Sequence, residues 1–285
     1  MNDLRQSREY AEYLKKLNWI VEEKDGIYYF IKKIPLIGSV IKIQRPKTIN
    51  YRYIDVLAVK HKAFQILLEP ALPTITVSRI RLHKLILTYG FKISRSTYLP
   101  SKTIHIDLSK SEIALLSEMH YKTRYNIKIA TRNKLQVTST RDIKKFADFW
   151  QECALKQRGM IIKQIKEITM LYNSFKNKSD IYFAYKEKTV LAGLLIIYSN
   201  ESAYYMYAAA SDAGKKLCAP TLITWEAIKK AKSKKMKIFD FEGIYDERFP
   251  IKSWQGFSRF KKSFGGKEIE YPGCYSKLRF PYANG

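Results

Sequence analysis

Residues 181–186, 190–198 and 203–209 are three β-rich runs in succession, with too little chain between them for a helix. The connections, Glu187-Lys188 and Ser199-Asn200-Glu201, are tight and polar, so the runs read as an antiparallel meander. A strand at 135–139 precedes them. Asp142 is placed to cap a helix bearing Ile143, Phe146, Phe149, Trp150, Cys153 and Gln157, and a second helix covers 165–176. After the meander come a helix over 219–234, a strand over 237–241 and a short helix over 253–264. Gly265-Gly266 stops that helix, and a last strand begins near Lys267. The order of the second half is thus β-α-α-β-β-β-α-β-α-β.

That is the element order of the Gcn5-related N-acyltransferase fold, and it predicts an α/β chain with mixed sheets. The first half repeats it in a worn form. An amphipathic helix over 4–17 leads to strands at 19–23, 27–33 and 39–44, the first two joined by the hairpin signal Asp25-Gly26. A helix over 50–61, a strand at 64–68, a helix over 77–89 stopped by Gly90, and strands at 91–93 and 103–107 complete it. Two tandem acyltransferase-like domains are therefore expected, 1–125 and 126–285. Ser109 and Glu112 form a capping-box pattern opening one long helix to about Ala130, read as the link between the halves.

A chain that is 46% hydrophobic and 14% aromatic can bury a real core. Its formal charge of +26 favours anionic partners. The lysines of 229–237 fit a solvated helix face, whereas 122–132 (KTRYNIKIATR) sets basic residues and a tyrosine on one helix, suited to a phosphate-rich ligand. Cys153, Cys218 and Cys274 are too few and too scattered for a disulfide framework, which fits a reducing, cytoplasmic setting. No signal peptide is evident, and the longest apolar stretch, 190–198, is shorter than a membrane span. His61, His83, His105 and His120 lack metal-ligand spacing, so no metal site is expected. Nucleophile-elbow, Walker and dinucleotide fingerprints are missing. The turn before the 219–234 helix, SDAGKKLCA, lacks the Arg/Gln-x-x-Gly-x-Gly/Ala pattern of acetyl-coenzyme-A enzymes, which disfavours that donor.

The motifs taken in series resemble the Fem family of peptidoglycan-branching aminoacyltransferases, the FemA/FemB/FemX type. The matching stretches are 103–137 (beginning TIHIDLSKSE), 204–211 (YYMYAAAS), 219–232 (APTLITWEAIKKAK), 239–244 (FDFEGI) and 254–266 (WQGFSRFKKSFGG). Weaker matches lie at 35–46 and 68–70. Two features depart from the family: Arg45-Pro46 without the usual intervening glycine, and the lysine-rich turn at 211–219.

The resemblance implies a reaction with no metal and no bound cofactor. An aminoacyl-tRNA is co-substrate. The acceptor is the side-chain amine of the third stem-peptide residue, on UDP-MurNAc-pentapeptide or lipid II. It also implies a cytoplasmic monomer, with peripheral contact at the inner face of the membrane. Lys261, preceded by Phe260, matches the family's Phe-Lys pair, where a cation stabilises the tetrahedral oxyanion. Arg45 and Arg158 are candidate pyrophosphate contacts, Tyr207 a candidate substrate contact, and Lys122, Arg124 and Tyr125 candidate ligand contacts. Asp107 matches an acidic position, but its place before a helix cap favours a structural role. The rival readings are another N-acyltransferase of this fold, with an acyl carrier or a different donor, and a non-enzymatic tRNA-binding protein.

Overall fold

The computed structural model describes residues 3–71, 76–158 and 164–279. They belong to two compact units, each an α/β layer structure built on one mixed sheet.

The first unit comprises Met1–Lys102, Asp246–Ile251 and Glu270–Gly285. A 3-10 turn leads into α1 (Arg8–Lys16), followed by β1 (Ile20–Lys24), β2 (Ile27–Ile34), β3 (Gly38–Gln44), α2 (Tyr51–Lys60), β4 (Ala63–Glu69), α3 (Thr76–Thr88) and β5 (Lys92–Ile93). Asp25 and Gly26 both adopt positive φ, 53° and 74°, as a two-residue hairpin with the right twist requires. β3 and β4 run parallel, so the chain must cross over between them, and α2 is that crossover. Ile54, Leu57 and Ala58 of α2 face Ile41, Ile66 and Leu68 of the sheet.

The second unit comprises Thr103–Tyr245 and Lys252–Ile269. It begins at β6 (Lys102–Asp107) and continues through α4 (Glu112–Glu118), α5 (Tyr121–Arg132), β7 (Gln136–Thr140), α6 (Ile143–Arg158) and α7 (Ile165–Ser174). The meander is β8 (Ser179–Lys186), β9 (Thr189–Ser199) and β10 (Ser202–Ala210). Then come α8 (Asp212–Lys216), α9 (Ala219–Ser233), β11 (Ile238–Asp240), α10 (Gln255–Lys262) and β12 (Lys267–Glu270). One sheet face packs under α9 through Ile196, Tyr205, Trp225, Ile228, Phe239 and Phe241. The other packs under α6 and α7 through Phe146, Trp150, Ile168, Tyr172, Phe183 and Leu195. Burying each such side chain contributes about 1.5–3 kcal/mol.

The chain's last strand, β13 (Tyr275–Leu278), lies in the first sheet, whose order is β1-β2-β3-β4-β13-β5. The second sheet is ordered β12-β6-β11-β10-β9-β8-β7. The last strand of each half therefore leaves its own half and inserts into the other sheet, each between the strands flanking a helix: β4 and β5 flank α3, and β11 and β12 flank α10.

This arrangement corrects the expected boundary. Residues 125 and 126 lie inside α5, a helix of the second unit that packs on α9; the division falls at Lys102/Thr103 and the C-terminal segment returns to the first unit. The single helix expected over 109–130 is two. Met119 takes an extended ψ of 146°, and His120 starts α5 by accepting from the Lys122 amide through its side chain. Ser111, not Ser109, caps α4, while Ser109 donates to Asp107. The lysine-rich turn at 211–219 contains α8, which the sequence reading omitted, as it omitted β13.

Candidate active site

β10 pairs in parallel with β11 only from Ser202 to Tyr204, opposite Ile238–Asp240. β11 then ends, while β10 runs on to Ala210 along β9. In the β9 pairing Tyr205 faces Ile196 and Tyr207 faces Leu195, so Met206 is the extra residue of a bulge. The bulge reverses the alternation of side chains. Tyr205 stays with Phe239 and Phe241, ring centroids 6.4 and 5.4 Å away. Tyr207 goes to the opposite face and packs edge-on against Trp150 at 5.9 Å. Of the two tyrosines, Tyr205 is the one at the end of the β10–β11 pairing, beside Lys261.

Past β11 the backbone turns through Glu242 and Gly243, both at positive φ, 53° and 106°. A buried polar network fixes the turn. Asp240 Oδ1 accepts from Thr103 Oγ1 (2.6 Å) and from the Glu242 amide (2.8 Å), while the Gly243 amide donates to Thr103 Oγ1 (3.2 Å). His105 Nε2 lies 3.1 Å from Asp240 Oδ2. Burial alone would raise the Asp240 carboxyl; the His105 and Thr103 contacts and the Glu242 amide overcome it and hold the group below the usual carboxylate range.

The turn's carbonyls receive Lys261 from α10. Its side chain is buried, and Nζ donates to Phe241 O and Gly243 O, both at 2.7 Å. Nζ also lies 4.8 Å from the Phe257 ring centroid and 5.5 Å from that of Tyr205. Burial brings this amine from its ordinary 10.5 down to about 8, against Glu242 and Asp240, whose charges hold it up. At neutral pH it is still mostly an ammonium, in surroundings where charge acts over a low dielectric. Two of its three N–H groups are taken by these carbonyls. Burial also pushes the Tyr205 hydroxyl up to about 12, so it stays a neutral donor.

A cavity of about 470 Å³ along α10 is lined by Tyr245, Gln255, Ser258, Arg259 and Lys262, and the Lys261 side chain is not part of its lining. Ser258 accepts from the Tyr245 amide at 2.7 Å and so ties that residue to α10. Phe260 packs on Phe264 at 5.1 Å and joins the core; the aromatic nearest the ammonium is Phe257.

The other expected contacts fall in several places. The His120 amide donates to Ser263 O at 2.9 Å, so the start of α5 abuts the end of α10. Lys122 and Tyr125 are exposed on α5. Arg124 instead turns back onto the carbonyls of Leu116, Ser117 and Met119, closing the C-terminus of α4; this is a structural post. Arg45 is likewise turned inward, within the first unit. It is 3% exposed, donates to Pro100 O (2.6 Å) and Pro70 O (3.4 Å), and lies 3.5 Å over the Tyr271 ring. Its guanidinium is not presented to a ligand. Arg158 ends α6, and its side chain lies outside the described residues. Asp107 accepts from the Ser109 amide and hydroxyl, a local turn. Thr103, Tyr205, Asp240 and Phe257 lie in the stretches that carried the resemblance, yet nothing in their spacing marked them as one cluster.

α9 starts at Ala219 with Pro220 in its first turn, and the Thr221 amide folds back to Cys218 O. It therefore presents few of the free amides that make a helix N-terminus a pyrophosphate cradle. Among the described residues no group of His, Cys, Asp or Glu could hold a metal ion, and no helix is long and apolar enough to cross a membrane.

Two mixed sheets in one chain, the second with a parallel pair that parts beside a bulged strand, define a tandem Gcn5-like fold. The model of the FemAB family matches residues 162–282, the segment that carries Lys261. Among solved structures, FemX is 17% identical, with a TM-score of 0.81 over 97% of this chain and 92% of that one. L-PGS from Bacillus licheniformis is 11% identical, TM-score 0.61, covering 98% and 93%. A tandem GNAT protein from the clavulanic acid biosynthesis pathway is 9% identical, TM-score 0.51, covering 90% and 81%. At these identities the likeness is one of fold. No curated protein matches the sequence.

Proposed function

We propose that this chain is a FemAB-type transferase, which moves an amino acid from aminoacyl-tRNA to the side-chain amine of the third stem-peptide residue of a peptidoglycan precursor, carried on UDP-MurNAc or on lipid II. The observation that carries the reading is the buried Lys261 ammonium, seated on two carbonyls in the FemAB-matching segment. The acceptor amine attacks the carbonyl carbon of the tRNA ester. As the C–N bond forms, charge builds on the carbonyl oxygen, and the remaining N–H of Lys261 stabilises it. The tetrahedral centre collapses, the C–O bond to the tRNA ribose breaks, and the amine proton passes to the leaving oxygen through a phosphate or carboxylate of the substrates. The reaction needs no resident cofactor or metal. Both substrates are polyanions, in keeping with a charge of +26. The protein acts as a cytoplasmic monomer that meets lipid-linked acceptor at the inner face of the membrane.

The test is transfer from pools of charged tRNA onto UDP-linked pentapeptide and onto lipid II, read by mass. Addition of one aminoacyl mass at the third residue supports the proposal. A protein inert with every charged tRNA but active with an acyl carrier would overturn it.

A further inference from the structure

Lys261 owes its place to a turn rather than to an ion pair, and the turn owes its shape to residues that do not touch the lysine. We propose that Asp240 and Thr103 are positioning residues: together they lock the left-handed turn at Glu242-Gly243, and so aim the carbonyls of Phe241 and Gly243 at the Lys261 ammonium. Asp240 is 4% and Thr103 1% exposed. Thr103 Oγ1 is the hinge of the network, donating to Asp240 Oδ1 and accepting from the Gly243 amide. The Glu242 amide closes the loop on the same carboxylate oxygen. The Phe241 amide, which donates to Ile104 O at 3.1 Å, pins the turn's first residue to β6. A non-glycine residue at φ 53°, as Glu242 is, persists only where its surroundings over-determine it. Here the surroundings include one carboxylate and one hydroxyl.

The consequence for Lys261 has a definite sign. Carbonyl acceptors favour the ammonium over the neutral amine, and burial opposes it. Loosening the turn withdraws the acceptors and leaves burial unopposed, so the lysine titrates lower and is less charged at pH 7. Asp240 also contributes through its charge, whereas Thr103 acts through the turn alone, which makes Thr103 the cleaner probe.

The test uses the full chain with lysine labelled at Cε with carbon-13. The Lys261 signal is assigned by its loss in Lys261→Met and followed from pH 6 to 11. Thr103→Val is close to isosteric, removes the hydroxyl and leaves Asp240 in place. It is expected to move the Lys261 titration about one pH unit or more downward. Turnover should fall about 10- to 100-fold with KM unchanged, as for a misplaced catalytic group. Asp240→Asn should move the titration in the same direction, and Thr103→Ser should restore both readouts. A Thr103→Val protein that is merely less stable, with the Lys261 titration and turnover where the native protein has them, would overturn the proposal. The kinetic arm rests on the transferase reading; the titration does not. A chain inert in every transfer assay, whose Lys261 still shifts as stated, would remove the proposed reaction and uphold the positioning role.

Discussion

At Lys261 two opposing terms nearly cancel, and this shapes what its removal should do. Lowering the amine from 10.5 to about 8 corresponds to about 3 kcal/mol of cost at neutral pH. Lys261→Met relieves that cost but strips a donor from two buried carbonyls, at about 1 kcal/mol or more each. The unfolding midpoint should therefore move little at pH 7, while turnover drops by about 10²–10³, the loss expected for one oxyanion donor. A variant with native turnover would remove Lys261 from the chemistry. The sign of the linkage gives a second check. Between about 8 and 10.5 the unfolded chain binds this proton and the folded chain does not, so native stability gains as pH rises through that window. The Met variant should lack the gain, which paired denaturation curves at pH 7 and 10 would reveal. Activity should run the other way. If the ammonium is the working form, turnover falls as pH passes about 8, and in Lys261→Arg, whose guanidinium stays charged, that falling limb should disappear. Lys261 itself could be chosen from sequence because a motif marked it. The surroundings of Arg45 and Arg124 could not, because a basic residue reads alike whether it reaches a phosphate or satisfies its own backbone carbonyls.

Periodicity made most elements visible, since the meander, the crossover helices and the Asp25-Gly26 hairpin all follow from local rules of spacing and turn chemistry. It failed where packing decides. The amphipathic stripe running from Leu115 to Ile129 carries no mark of the break at Met119, which depends on the His120 amide reaching Ser263. α8 was hidden because five residues are too few for a period, yet its position is tightly set. A methyl added at Gly214 would stand 2.1 Å from Leu191 O, a backbone atom of β9 that has little freedom to yield. Gly214→Ala should therefore lower stability by about 1–3 kcal/mol, the range for overpacking, although alanine is the better helix former. Gly256, also helical, has nothing within 4 Å of its added methyl, and there the same substitution should raise stability by about 0.5–1 kcal/mol. Urea denaturation of the two variants should give opposite signs; two losses or two gains would refute the packing account of Gly214.

Two sheets that each take a strand from the other half of the sequence could not be read from the order of elements, because order fixes which strands exist and not where they pair. The 275–278 stretch was invisible for that reason, although its burial is plain once it is placed. Tyr275 is 2% exposed, its hydroxyl lies 2.9 Å from His83 Nδ1, and its strand pairs Tyr275–Leu278 with Leu68–Gln65 on one side and with β5 on the other. The Cys274 carbonyl accepts from the Ser94 amide, and the Tyr271 ring carries the Arg45 guanidinium. Deleting residues 271–285 strips β4 of its neighbour and leaves the two-residue β5 without an anchor, so the first sheet gains an unpaired edge. The second sheet keeps all seven of its strands. Hydrogen exchange on the truncated chain should therefore be uneven: the amides of β3, β4 and β5 should lose protection, while those of β8, β9 and β10 keep theirs. Protection unchanged throughout would mean that β13 contributes nothing to the first sheet. Equal loss in both sheets would mean that the two units open as a single cooperative body, and the division at Lys102/Thr103 would then carry no energetic meaning.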